Sequence, residues 1–138
     1  MKTLYTATAV ALGDGRNGHV QSPDGFLDAA VRVPRELGGP GGATNPEQLF
    51  AAGYAACFHS ALKLAASQLH ADASGSEVVA DVMLKSLPNG GYGLAANLEI
   101  TLPELDRAAA EKLAAKAHEL CPYSNATRGN MEVNLTVA

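Results

Sequence analysis

Cys57 and Cys121 are the only two cysteines in a chain of 138 residues. A thiol can serve as a nucleophile or as a redox centre, but only as thiolate; an apolar setting opposes that form and a nearby cation restores it. The two cysteines lie far apart and lack CxxC spacing, so no local motif pairs them. Three residues could supply the cation: Lys63, Arg128 and Arg16. Arg16 is the most informative. It stands in "GDGRNG", a glycine-rich tip where a polar loop can fold over a pocket, and a guanidinium there always stays charged. The competing reading is an ordinary solvated turn residue. Glu47 is equally two-sided, either complementing a helix macrodipole or holding Arg16 through a bidentate pair. On composition alone, both cysteines also fit buried thiols acting as small hydrophobes.

These residues need elements to position them. "LYTATAVAL", "HVQS" and "FLDAAVRV" read as three strands, the first two joined through the "GDGRNG" tip. After "PRELGGPGGATNP", too rich in Gly and Pro for regular structure, a helix is predicted from Pro46 to about His70. Asn45 caps it, Pro46 takes the first position, and Gln48 is the capping-box partner three residues on. Apolar residues cover nearly its whole circumference from Leu49 to Leu64, which predicts a central, buried helix. "EVVADVMLKSL" and "LAANLEITL" form a hairpin across "PNGGYG". "PELDRAAAEKLAAKAHEL" is a second helix ending at Cys121, because Pro122 disfavours helix in the residue before it. Pro122 and Asn125 shape a turn that presents Cys121, and "MEVNLTVA" closes as a strand. The order βββαββαβ describes one α+β domain spanning residues 1–138.

Glu47 and Cys57 would share the first helix. Ten residues apart, they are separated by about 15 Å along the axis and by about 280° beyond two full turns. For them to cooperate, the helix must break, Arg16 must span the gap, or a second chain must contribute. The spacing favours a dimer.

Several functions are excluded or disfavoured. A formal charge of −4 and a pI near 5.5 argue against nucleic acid or an anionic membrane surface as partner. No apolar run is read as approaching the ~20 residues of a membrane span. Thr and Tyr interrupt the N-terminal apolar stretch, which reads as a strand rather than a signal peptide, so a cytoplasmic location is expected and the sequons at Asn125 and Asn134 would be idle. His19, His59, His70 and His118 show no metal spacing with either cysteine, and no metal site is expected. "GGPGG" lacks the Lys-Ser/Thr of a phosphate loop.

"GRNG", "LGGPGGATNPEQLFAAGYAACF" and "CPYSNATRGN", in that order across nearly the whole chain, resemble the organic hydroperoxide resistance proteins of the OsmC-like superfamily. The last motif favours this branch over the OsmC sister branch. The resemblance implies an OsmC-like fold, with antiparallel sheets around a long buried helix, in an intertwined homodimer with two sites at its interface. It implies a thiol peroxidase that reduces lipophilic organic hydroperoxides to alcohols, with Cys57 peroxidatic, Cys121 resolving, Arg16 stabilising thiolate and peroxide, and Glu47 orienting Arg16. No bound cofactor is implied; the reductant is an external lipoyl-type dithiol, a lipoylated protein or dihydrolipoamide. Phe50, Tyr54 and Phe58 then line a substrate pocket, or else belong to the ordinary core. A second class remains open, a hydrophobic-ligand or peroxide-sensing protein whose cysteines do not turn over, with a cysteine hydrolase further behind.

Overall fold

The computed structural model describes residues 1–138. The chain divides into two compact units, Met1–Leu49 and Phe50–Ala138.

The first unit carries a meander of three short strands, β1 (Val10–Leu12), β2 (His19–Gln21) and β3 (Asp28–Ala30), in the order β1-β2-β3 and antiparallel throughout. The first strand is shorter than its apolar alternation predicts: residues 4–9 find no partner strand, and Leu4 and Tyr5 are exposed. Alternation alone does not make a strand when its ladder bonds have nowhere to go. The β1–β2 tip is a 3₁₀ turn at Gly15–Asn17. Gly18 is required behind it, because a Cβ there would lie 2.1 Å from the Leu12 carbonyl oxygen.

The second unit contains most of α1 (Pro46–Leu69), then β4 (Glu77–Ser86), β5 (Tyr92–Thr101), α2 (Arg107–Leu120), α3 (Pro122–Thr127) and β6 (Val133–Val137). The first helix begins as its sequence predicts, with the Gln48 N–H on Asn45 Oδ1 at 2.8 Å. The reciprocal half of the capping box does not form; Gln48 Oε1 instead accepts from the Thr44 hydroxyl at 2.7 Å. The far end closes on His70, the only non-glycine residue with positive φ (52°), while the Ala71 N–H reaches back to the Ala66 carbonyl at 2.9 Å. That is a Schellman closure with histidine in the place usually given to glycine. Since α1 is unbroken, a break in the helix is removed from the three ways in which Glu47 and Cys57 could cooperate.

One face of α1 is buried, through Tyr54, Phe58, Ala61, Leu62, Ala65 and Ala66. The other is not: Ala52, Ala56 and Ser60 are exposed, and Leu64 is 51% exposed. All-round burial therefore fails for the single chain. By length and composition α1 would also pass as a membrane span, contrary to the sequence reading, with an 18-residue window of mean hydropathy 1.2. Its apolar face instead joins a core with Leu98 and Ile100 of β5 and Leu113 and Ala117 of α2.

β4 and β5 form the expected hairpin, antiparallel over ten residue pairs. β6 departs from the antiparallel expectation and lies parallel to β5, from Ala96↔Val133 to Ile100↔Val137. A parallel neighbour requires a crossover, and the helical segment between β5 and β6 supplies it. Asp106 caps α2 by accepting the Ala109 N–H at 2.8 Å, so that helix starts later than its apolar stripe suggests. The turn expected after Cys121 is a further helix, α3. Pro122 ends one helix and opens the next, at the first position where its missing N–H costs nothing.

Candidate active site

In the first unit, two groups meet. Arg16 Nη1 donates to Glu47 Oε2 at 3.0 Å and Nη2 to Glu47 Oε1 at 2.6 Å, a bidentate fork. The tip that carries Arg16 is pinned on both sides: Asn17 Oδ1 accepts the Val33 N–H at 3.0 Å, and Arg32 Nη1 donates to the Gly18 carbonyl at 2.8 Å. Arg16 holds the Glu47 carboxyl below its ordinary range by hydrogen bonding first, partly opposed by burial. Glu47 uses two of the five guanidinium N–H groups, leaving three for another acceptor.

In the second unit, the Cys57 and Cys121 sulfurs lie 3.7 Å apart as free thiols. Cys57, on α1, is half-buried; Cys121, at the α2–α3 joint, is fully buried. Burial pushes the Cys57 thiol above its ordinary value, the Tyr123 backbone N–H draws it back, and Cys121 raises it further. No cation is among the groups that shift it. Lys63 and Arg128, the other two candidates, are engaged elsewhere, Lys63 on the Ala73 carbonyl and Arg128 on Asn125 Oδ1 and the His118 carbonyl.

The three proposed pocket residues fall into two groups. Tyr54 and Phe58 are fully buried in the core. Phe50 is half-buried and packs edge-on against Tyr54 and Tyr123, with ring centroids 6.2 and 5.9 Å away. Each of three histidines has a protein partner: His19 with Asp28, His59 with Ser76, His118 with Ser124. No cluster of three metal-ligating side chains forms.

Sequence reasoning missed Tyr123, Ser124 and Thr127, and weighed His118 only as a metal ligand. Ser124 is fully buried and meets the Tyr54 hydroxyl at 2.9 Å and His118 Nδ1 at 2.8 Å; Thr127 lies 3.2 Å from the same Tyr54 hydroxyl. All but His118 stand in "CPYSNATRGN", and a helical reading of that segment would place Ser124 and Thr127 three residues apart on one face. Gly53 admits the Tyr123 ring, since a Cβ there would lie 2.6 Å from the Tyr123 hydroxyl oxygen.

Comparison with known proteins agrees along the chain. A family model described as OsmC-like protein matches residues 39–136. An organic hydroperoxide resistance protein of Xanthomonas axonopodis pv. citri is 52% identical over 139 residues, spanning 99% of this chain and 96% of that protein. The crystal structure of an organic hydroperoxide resistance protein from Legionella pneumophila is 51% identical, covers 99% of both chains and superposes with a TM-score of 0.95. That of OhrB from Bacillus subtilis is 43% identical, covers 99% of this chain and all of its own, and gives 0.90. With the α+β fold and these matches over nearly its whole length, the chain belongs to the OsmC-like family, in its organic hydroperoxide resistance branch.

Proposed function

We propose that the protein is a cysteine-based peroxidase that reduces organic hydroperoxides to alcohols. The observation that carries this reading is the 3.7 Å separation between the sulfurs of a half-buried Cys57 and a fully buried Cys121. A peroxide reaches the first, and the second stands ready to receive its product.

The Cys57 thiolate attacks the outer peroxide oxygen and the O–O bond breaks. The sulfur gains that oxygen as sulfenic acid, and the alkoxide takes a proton and leaves as alcohol. The Cys121 sulfur then attacks Cys57; the S–O bond breaks, a disulfide forms, and the hydroxyl leaves as water with the Cys121 proton. A lipoyl-type dithiol reopens the disulfide by exchange and becomes a disulfide itself. Cys57 needs a positive charge that its own unit does not supply. Arg16, oriented by Glu47, provides it and stabilises thiolate and developing alkoxide together.

We further propose that the working form is a homodimer. The exposed apolar face of α1, with Leu64 and the neighbouring small residues, and exposed Leu4, Tyr5 and Phe26 support this reading. Substrate preference follows from apolar burial. At about 0.8 kcal/mol per buried CH₂, a four-carbon alkyl group contributes about 3 kcal/mol, on the order of a hundredfold in kcat/KM.

The test is a stopped-flow comparison of an alkyl hydroperoxide with hydrogen peroxide, with a lipoyl dithiol as reductant. Sustained turnover and a strong preference for the alkyl peroxide are expected. Equal rates would remove the apolar pocket, and one oxidation without turnover would favour a sensing or binding role.

A further inference from the structure

The hydroxyls around Tyr54 admit one arrangement of hydrogens when each proton serves one bond. Thr127 Oγ1 lies 3.2 Å from the Ser124 carbonyl, which can only accept, so the Thr127 proton goes there. The contact between Thr127 and Tyr54 must then be donated by the Tyr54 hydroxyl. With that proton committed, the 2.9 Å contact between Tyr54 and Ser124 must be donated by Ser124. Ser124 in turn has no proton left for His118, so the 2.8 Å contact is donated by His118 Nδ1–H. The chain therefore runs one way, from His118 to Ser124 to Tyr54 to Thr127 and back to the backbone of α3. Its members are each hydroxyl or ring donors with a single proton on the bonding atom, and Tyr54, Ser124 and Thr127 are buried, where an unmade bond is costly.

This chain ties three elements at one corner. Tyr54 stands one turn before Cys57 on α1, His118 one turn before Cys121 on α2, and Ser124 on α3 directly follows Tyr123, whose N–H donates to the Cys57 sulfur. Arg128 braces the same corner from outside, bridging Asn125 Oδ1 and the His118 carbonyl at 2.6 Å each.

We propose that Tyr54, Ser124 and His118 are positioning residues for the resolving step: their directional hydrogen-bond chain holds the Cys121 corner against Cys57 and sets how fast the sulfenic acid closes to disulfide. The proposal rests on the peroxidase reading above. None of the three touches the reacting atoms. Cys57 sits within the unbroken 24-residue α1, whereas Cys121 sits on a joint between two helices. Misplacement by about 1 Å can slow a step by up to about a hundredfold. A longer-lived sulfenic acid also meets a second peroxide more often and passes to sulfinic acid.

The test compares the whole protein with Ser124→Ala, His118→Leu and His118→Asn. Single-turnover mixing with an alkyl hydroperoxide gives the rate of Cys57 oxidation and the rate of disulfide closure, and mass spectrometry gives the sulfinic acid fraction. Ser124→Ala and His118→Leu should lower the ratio of closure to oxidation about tenfold and raise the sulfinic fraction. His118→Asn, which keeps a donor near the Nδ1 position, should restore the ratio. In the wild-type protein, ¹⁵N shifts should show His118 neutral with its proton on Nδ1. An unchanged ratio in both Ser124→Ala and His118→Leu, equal slowing of both steps, or a proton on Nε2 would overturn the inference while leaving the peroxidase reading standing. Failure of the wild-type protein to form any sulfenic acid or disulfide would overturn both.

Discussion

The Cys57 and Cys121 sulfurs are in contact at 3.7 Å, yet one is half-buried and the other sealed from solvent. That asymmetry supports the order of events proposed above, in which an external oxidant meets Cys57 first and Cys121 follows.

Cys57→Ser should therefore abolish peroxide consumption. Cys121→Ser should consume about one equivalent per subunit before stalling with Cys57 oxidised, a stoichiometry that peroxide titration measures directly. Full multiple turnover by Cys57→Ser would end the assignment.

The charge on Cys57 can be read by alkylation. Within the chain, burial first holds the thiol above its ordinary 9.0, and no cation offsets it. If Arg16 supplies the charge in the working form, as proposed, Arg16→Ala should shift the pH profile of Cys57 alkylation upward and leave little thiolate at neutral pH. Glu47→Gln, which keeps the shape but loses the fork, should fall between wild type and Arg16→Ala. The Glu47 carboxyl is held below its ordinary 4.5, chiefly by its hydrogen bonds from Arg16. The stabilisation from the pair is thus complete above that value and is lost as pH falls through the lower folded pKa. From pH 5 upward it should be constant. An alkylation profile unmoved by Arg16→Ala would remove Arg16 from the site.

Gly53→Ala sets two effects against each other. Alanine gains about 1 kcal/mol of helix propensity over glycine, while overpacking costs about 1–3 kcal/mol where the neighbour is fixed. Here the neighbour is the far end of Tyr123, which is 37% exposed and can yield toward solvent by giving up part of its packing on Phe50 and Tyr54. Denaturant midpoints should shift by no more than about 1 kcal/mol, with a changed near-UV tyrosine signal. A loss above about 3 kcal/mol would show that the Tyr123 ring cannot move.

His118 predicts an acid-side slope. Burial, then the charge of Arg128, holds its pKa below 6.5 in the folded state. Above 6.5 both folded and unfolded chains carry it neutral, and it has no effect. As pH falls below 6.5 the unfolded chain takes the proton first, so stability drops until the folded pKa is passed. Urea midpoints at pH 7.5 and 5.5 should separate more in the wild type than in His118→Asn. Equal separation would exclude His118 as the source of the slope.

Local chemistry was legible wherever the signal was local. Asn45 and Pro46 announce α1, and the glycine-rich segments after β1 and β4 make their turns, although the Asp106 cap that starts α2 went unread. Two kinds of information escaped. Strand pairing is one: "LYTATAVAL" alternates correctly, but only Val10–Leu12 finds a partner, and β6 turns parallel because a helical crossover precedes it. Punctuation with two meanings is the other. Pro122 stops one helix and equally starts the next, and the stop alone does not reveal α3, Ser124 or Thr127. The fork between Arg16 and Glu47 was suggested by residue type. The 3.7 Å between the sulfurs was not, since neither helix period nor spacing connects positions on two helices that meet only through the fold.

Cys121 is shared by two helices. Its N–H closes α2 on the Ala117 carbonyl at 2.8 Å, and its own carbonyl receives the Asn125 N–H at 2.9 Å to open α3. Inserting one residue there would rotate everything beyond it by about 100°, carrying the Tyr123 N–H from Cys57 and Ser124 from Tyr54. The β4–β5 turn at residues 87–91 has no such double duty; its tip is exposed and closes on its own backbone, Leu87 N–H to the Gly91 carbonyl at 2.8 Å. The chain can thus grow or shrink where it meets water, but at the joint its length is frozen to the residue.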